Sequence, residues 1–298
     1  MTSVSVFTTI VSQLINGLQT GSVYALIALG YSMVYGIILL LNFAHGDIIM
    51  VGAYTAWLFM VNFSQSPIIA VLAAIVASTV LGVVIEKVAY TPLRQAPRLS
   101  LLITAIGISF LLENLAQLIF GAGAKPMPKI VNVPSISLGS VSVSGTALVT
   151  LVVSVVSMLL LNLLIKRSKM GKAMRAVSED TGAAQLMGIN INRTISFTFA
   201  VGSALAGIGS VLYSAAYPQA SPTMGGMLGL KAFVAAVLGG IGSVPGAVIG
   251  GFCIGIAEAG ASAVGLSVWK DAVVFIILII VLIVKPTGLL GRNLQEKV

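Results

Sequence analysis

Apolar runs as long as a bilayer is thick make up most of this chain, separated by short polar or glycine-rich interruptions. A hydrocarbon core about 30 Å deep takes roughly 20 apolar residues of helix to cross. Residues 68–85, 99–120, 145–165, 194–217 and 246–266 fit that length. Residues 268–284, with the core AVVFIILIIVLIV, form the most lipid-like stretch, and 20–41 and 47–63 add two more, for about eight spans. The stretch 228–241 is too short for an ordinary span. Residues 5–19 carry Gln13, Asn16 and Gln19, which predicts an interfacial or partly buried helix ahead of the first span. The start, MTSVSVFTTI, lacks the positive region of a cleaved signal peptide, so this helix is expected to stay attached. The pattern predicts an all-α polytopic membrane protein with short broken or re-entrant segments, in a single transmembrane domain over residues 1–298.

Composition agrees. Hydrophobic residues make up 58% of the chain and charged ones 8%, where a soluble domain carries about 25% charged residues. Mean hydropathy is +1.09. No water-soluble fold of this length hides so much apolar surface, which sets aside soluble enzymes, nucleic-acid binders and disordered chains. The single cysteine, Cys253, and the single histidine, His45, offer neither a disulfide framework nor a zinc cluster.

The net charge of +8 reads as topology. Lysines and arginines accumulate on the cytoplasmic side of a membrane protein. Residues 87–98 hold Lys87, Arg94 and Arg98; residues 166–193 hold Lys166, Arg167, Lys169, Lys172, Arg175 and Arg193; the tail holds Lys285, Arg292 and Lys297. An even number of spans separates these segments, so all three are placed in the cytoplasm. The loop around Lys125, Pro126, Pro128 and Lys129 and the 217–227 linker then fall outside.

Two breaks interrupt the apolar mass: Asn42-Phe43-Ala44-His45-Gly46-Asp47 and the glycine-rich run from Gly239 to Gly246, which includes Gly240, Ser243 and Pro245. Non-helical backbone at membrane depth survives only where protein or a water-filled cavity covers it. Paired interrupted segments point to internal repeats around a central pathway. An inverted repeat would divide the chain into halves 1–143 and 144–298; two ordinary tight turns at the membrane surface fit the same residues. Ionisable groups at membrane depth are few: Glu113, Glu258, Lys231 and the His45/Asp47 pair. Such groups are costly in lipid and face the bundle interior or a cavity. Asn42, His45, Asp47, Glu113, Gly240, Ser243 and Glu258 are the candidates for a translocation path. The alternative for both glutamates is polar contact between helices.

The loop 166–193 is long for a membrane hairpin. Met170, Met174 and Val177 are helically spaced, and Ser178-Glu179-Asp180-Thr181 caps a second short helix ended by Gly188. That helix exposes Leu186, Met187 and Ile189. It either docks in a groove of a soluble protein or lies in the lipid interface. GxxxxGK[ST] is absent, so any ATP-driven work falls to another chain.

LLNFAHGDIIMVGAY (40–54), GKAMRAVSEDTGAAQLMGIN (171–190) and GLKAFVAAVLGGIGSVPGAVIGG (229–251), in that order, resemble bacterial ABC-transporter permeases for branched-chain amino acids, the shorter of the two paired subunits. The resemblance spans nearly the whole chain. It implies a second permease subunit beside this one in the bacterial inner membrane and two cytoplasmic ATP-binding subunits below. It also implies a periplasmic solute-binding protein that delivers leucine, isoleucine or valine. ATP and magnesium would sit on the partners, with no cofactor on this chain. Glu179, Asp180, Ala183, Ala184, Leu186, Met187 and Gly188 match the family's coupling segment to the ATPase. Closely related permeases carry urea or short amides. A secondary transporter driven by an ion gradient is a third reading, and the scarcity of buried carboxylates opposes it.

Overall fold

The computed structural model describes residues 3–39, 41–63, 66–94, 96–138 and 141–291. Arg292 and Lys297 of the basic tail, and Leu40 of the first motif, lie outside them. The first helix, α1 (Ser3–Ile38), runs without interruption through both segments that the polarity of 5–19 had separated. The polar side chains survive there because Gly17 and Gly21 let α11 (Val244–Ala263) approach to backbone contact. A cavity between the two helices then receives Gln13, Asn16 and Gln19.

After α1 the chain turns at Leu39, whose φ of 52° is left-handed, and re-enters the bundle as α2 (His45–Leu58). A π-helical turn, Phe59–Phe63, leads to α3 (Pro67–Ile85), and a second, Glu86–Tyr90, to the one-turn α4 (Thr91–Leu93). Then come α5 (Arg98–Phe120), α6 (Gly145–Arg167), α7 (Lys169–Glu179), α8 (Thr181–Leu186) and α9 (Ile191–Ala216). The short α10 (Met224–Gly239), α11 and α12 (Lys270–Val284) complete the bundle. Among the described residues, eight helices are long and apolar enough to cross a membrane; α10 is shorter. Sequence periodicity predicts no strands, yet among the described residues four short ones occur in the loops. β1 (Lys125–Pro126) pairs with β4 (Gln219–Ala220), and β2 (Ile136–Leu138) with β3 (Val141–Val143). The first pair ties the 121–144 loop to the 217–223 linker.

The described parts of the three basic segments gather at one end. Arg94 donates to Asn192 Oδ1 at 2.5 Å, Tyr90 reaches the Leu41 carbonyl near the end of α1, and the backbone N–H groups of Leu289 and Leu290 donate to Leu238 and Gly239. By charge bias this is the end expected to be cytoplasmic, and α1 starts at the opposite end. Helix α10 joins the outer linker to the inner turn with 16 residues, about 24 Å of helix. It manages this because it starts below the outer surface, against α2.

The packing maps onto itself when α1, α2 and α3 exchange with α9, α10 and α11. Helix α1 packs on α11 as α9 packs on α3, and α2 lies between α3 and α9 as α10 lies between α11 and α1. Partners in the exchange run in opposite directions. The counterpart of the 39–44 break is therefore the segment before Met224. The run Gly239–Gly246, which the sequence reading had paired with it, is a close-packed hairpin at the cytoplasmic end. A Cβ on Gly239 would stand 1.9 Å from the Gly246 carbonyl oxygen.

Candidate functional site

At the centre, the N-termini of α2 and α10 abut. A Cβ on Gly46 would lie 2.3 Å from the Gly225 carbonyl oxygen, so two half-helices meet backbone to backbone. Discontinuous helices whose positive ends converge near the midplane are a recurring way to build a transport site. His45 is buried and its ring stands edge-on to Tyr31, with centroids 4.8 Å apart. Gly30 has no side chain because the imidazole lies beside it. Asp47 is fully buried in the first turn of α2, where the helix dipole favours its negative charge. Its polar neighbours are Ser109 and Glu113 of α5. The Glu113 and Asp47 carboxylates both border the α10 start, 3.3 Å from a Cβ built on Gly226 and 3.0 Å from one on Gly225. Asn42 is buried nearer the cytoplasmic end, where Tyr90 donates to its Oδ1 at 3.1 Å.

The structure thus brings His45, Asp47 and Glu113 to the α2–α10 junction, and leaves Gly240 and Ser243 away from it. Gly240, at φ 104°, accommodates Leu290 and Gly291 of the tail. Ser243 caps α11, its hydroxyl accepting from the Gly246 N–H at 3.2 Å. Both serve the hairpin turn.

Glu258 belongs to a second cluster, nearer the outside. Its Oε1 lies 2.5 Å from Lys231 Nζ, which also lies 2.6 Å from Asp271 Oδ1. Tyr24 donates to Glu258 Oε2 at 2.8 Å. Four helices, α1, α10, α11 and α12, each contribute one member. Asp271 went unnoticed in the sequence because it opens the lipid-like 268–284 run, and Tyr24 because a lone tyrosine in an apolar helix carries no pattern.

A third cluster sits at the cytoplasmic end. Glu86 is fully buried, ion-paired with Arg94, and accepts from Thr91 at 2.8 Å and Ser196 at 2.7 Å. Arg94, read from sequence as a loop charge, is its counter-ion and at the same time grips Asn192. The only sequence signal for Glu86 was its place one residue beyond an apolar run.

Beside this cluster lies the 166–193 segment. Helix α7 is amphipathic and turns Gly171, Met174 and Val177 inward. Glu179 ends it, and Asp180 caps α8, its Oδ1 accepting from the Ala183 N–H at 2.9 Å. Ala184 is buried and Ala183 exposed. The helix closes as a Schellman motif, Gly188 N–H to Gln185 and Ile189 N–H to Ala184, with Gly188 at φ 81°. Leu186 and Met187 are left 90% and 83% exposed on this fixed support.

No solved structure matches the chain. The chain is 44% identical to the high-affinity branched-chain amino acid transport system permease protein LivH of Escherichia coli strain K12, over 96% of this chain and 97% of that one. Identity and coverage are the same for BraD of Pseudomonas aeruginosa, which bears the same description. A probable branched-chain amino acid transport permease of Methanocaldococcus jannaschii is 29% identical over 91% of this chain and 89% of its own. A family model matches residues 13–282. With eight apolar helices among the described residues and that match, the chain belongs to the family of branched-chain amino acid transport system permease components.

Proposed function

We propose that this chain is the permease subunit of an ATP-driven importer of branched-chain amino acids, spanning the bacterial inner membrane many times. It forms the translocation path with a second permease subunit. Two cytoplasmic ATP-binding subunits, which hold ATP and magnesium, drive it, and a periplasmic solute-binding protein supplies the substrate. The chain itself catalyses no reaction. The observation that carries this reading is the rigid, apolar tip of α8, with Leu186 and Met187 solvent-facing at the end where the basic segments gather. An aliphatic pair held out in water on a capped helix is suited to a groove in a soluble partner.

The test is ATP hydrolysis by the reconstituted complex, stimulated by the binding protein loaded with each of a panel of amino acids, urea and short amides. Stimulation by leucine, isoleucine and valine is expected. Stimulation by urea or amides alone would replace the substrate assignment, and hydrolysis indifferent to every loaded form would overturn the importer reading.

A further inference from the structure

The Lys231–Glu258 pair stands between two cavities. Glu258 lines one of about 280 Å³ with Gln13, Asn16, Gln19 and Ser262. Lys231 lines another of about 150 Å³ with Tyr24, Tyr213, Met224, Met227 and Leu228. Tyr217 and Lys270 border the first and Gln219 and Ser221 the second, so both lie toward the outer end. One cavity is polar and ends on a carboxylate. The other is of mixed polarity, with Met224, Met227 and Leu228 facing Tyr24, Tyr213, Gln219 and Ser221, and ends on an ammonium.

Lys231 is shared by two carboxylates, Glu258 and Asp271, at 2.5 and 2.6 Å. Buried charge at membrane depth is expensive unless paired, and the other cation facing Glu258 is Lys270 on the cavity wall. A group that brings one ammonium and one carboxylate together can enter this cluster without adding net charge. Its carboxylate takes Lys231, whose link to Asp271 persists, and its ammonium takes the released Glu258. An aliphatic side chain then lies against Met224, Met227 and Leu228. A bare carboxylate that takes Lys231 leaves Glu258 buried without a partner, and a bare ammonium on Glu258 forgoes the contact with Lys231.

We propose that Lys231, Glu258 and Asp271 form a transient binding site, in the outer half of the path, for the zwitterionic headgroup of an α-amino acid. This rests on the importer reading above.

The test uses the complete transport complex in lipid nanodiscs, without the binding protein. Its thermal unfolding is followed with millimolar L-leucine, with 3-methylbutylamine, which lacks the carboxylate, and with 4-methylpentanoate, which lacks the ammonium. Leucine is expected to raise the unfolding midpoint, 4-methylpentanoate to leave it unmoved and 3-methylbutylamine to raise it less than leucine does. Glu258→Gln keeps an acceptor for Tyr24 and leaves a neutral Lys231–Asp271 pair, so the complex should assemble, lose the leucine shift, and import more than about tenfold more slowly at saturating loaded binding protein. A Lys231→Met, Glu258→Gln, Asp271→Asn triple variant removes all three charges together and should behave likewise. Either variant retaining the leucine shift and wild-type import, or equal shifts from leucine and both analogues, would overturn the site. If loaded binding protein fails to stimulate the wild-type ATPase, the importer reading falls instead, which keeps the two failures apart.

Discussion

Replacing Leu186 and Met187 together by aspartate perturbs the surface of α8 and nothing beneath it. Both side chains are almost wholly exposed. The helix is held by the Asp180 cap, the buried Ala184 and the closing bonds at Gly188 and Ile189, which the substitutions leave in place. Membrane insertion and pairing with the second permease should therefore be unchanged. Docking should suffer heavily. Burying a leucine or methionine side chain stabilises by about 1.5–3 kcal/mol, so the pair supplies roughly 3–6 kcal/mol when both are covered. Since each 1.4 kcal/mol is tenfold, that alone is about a hundredfold to ten-thousandfold in affinity. Two carboxylates pushed into an apolar groove add a desolvation cost of a few kcal/mol unless they find partners. The assay is co-purification of the ATP-binding subunits with the tagged permease, together with stimulation of ATP hydrolysis by loaded binding protein in the same preparation. Loss of both is expected at normal permease yield. Full recovery of the ATP-binding subunits with normal stimulation would refute the docking assignment. Altered membrane insertion with normal recovery would instead place α8 in the lipid interface.

Two further outcomes test the frame around these sites. Arg94→Ala strands the fully buried Glu86 carboxylate and should destabilise the permease by about 3–5 kcal/mol, while the paired change Glu86→Gln with Arg94→Met should recover most of that; thermal unfolding of the purified protein measures both, and equal stability of all three forms would show the pair to be dispensable. Gly46→Ala places a Cβ 2.3 Å from the Gly225 carbonyl oxygen, so α2 and α10 must separate; folded yield should collapse, whereas Gly107→Ala, with open space around it, should leave yield unchanged.

What the sequence settled by itself follows from local physics. Span length, apolar content and charge bias determined the class, the number of long helices and which segments share a side, because lipid demands long helices and positive charge resists translocation. The α7–α8 segment was equally legible. Its caps, its terminating Gly188 and its exposed tip depend on residues close in the chain; Leu186 and Met187 stand exposed as expected, whereas Ile189, which closes the helix end, is half-buried. The ionisable groups at depth were visible one at a time, but their grouping was not. Asp47 meets Glu113, Lys231 meets Glu258 and Asp271, and Glu86 meets Ser196 across separations that no periodicity encodes. The same limit misdirected the comparison of the two breaks. Glycine content marks where backbones come close, and only packing decides whether the close approach is a central junction of half-helices, as at Gly46 and Gly225, or a surface hairpin, as at Gly239 and Gly246. In a membrane, where apolar surface is satisfied by lipid as well as by protein, hydrophobicity cannot choose which helices touch; small residues and buried ion pairs do.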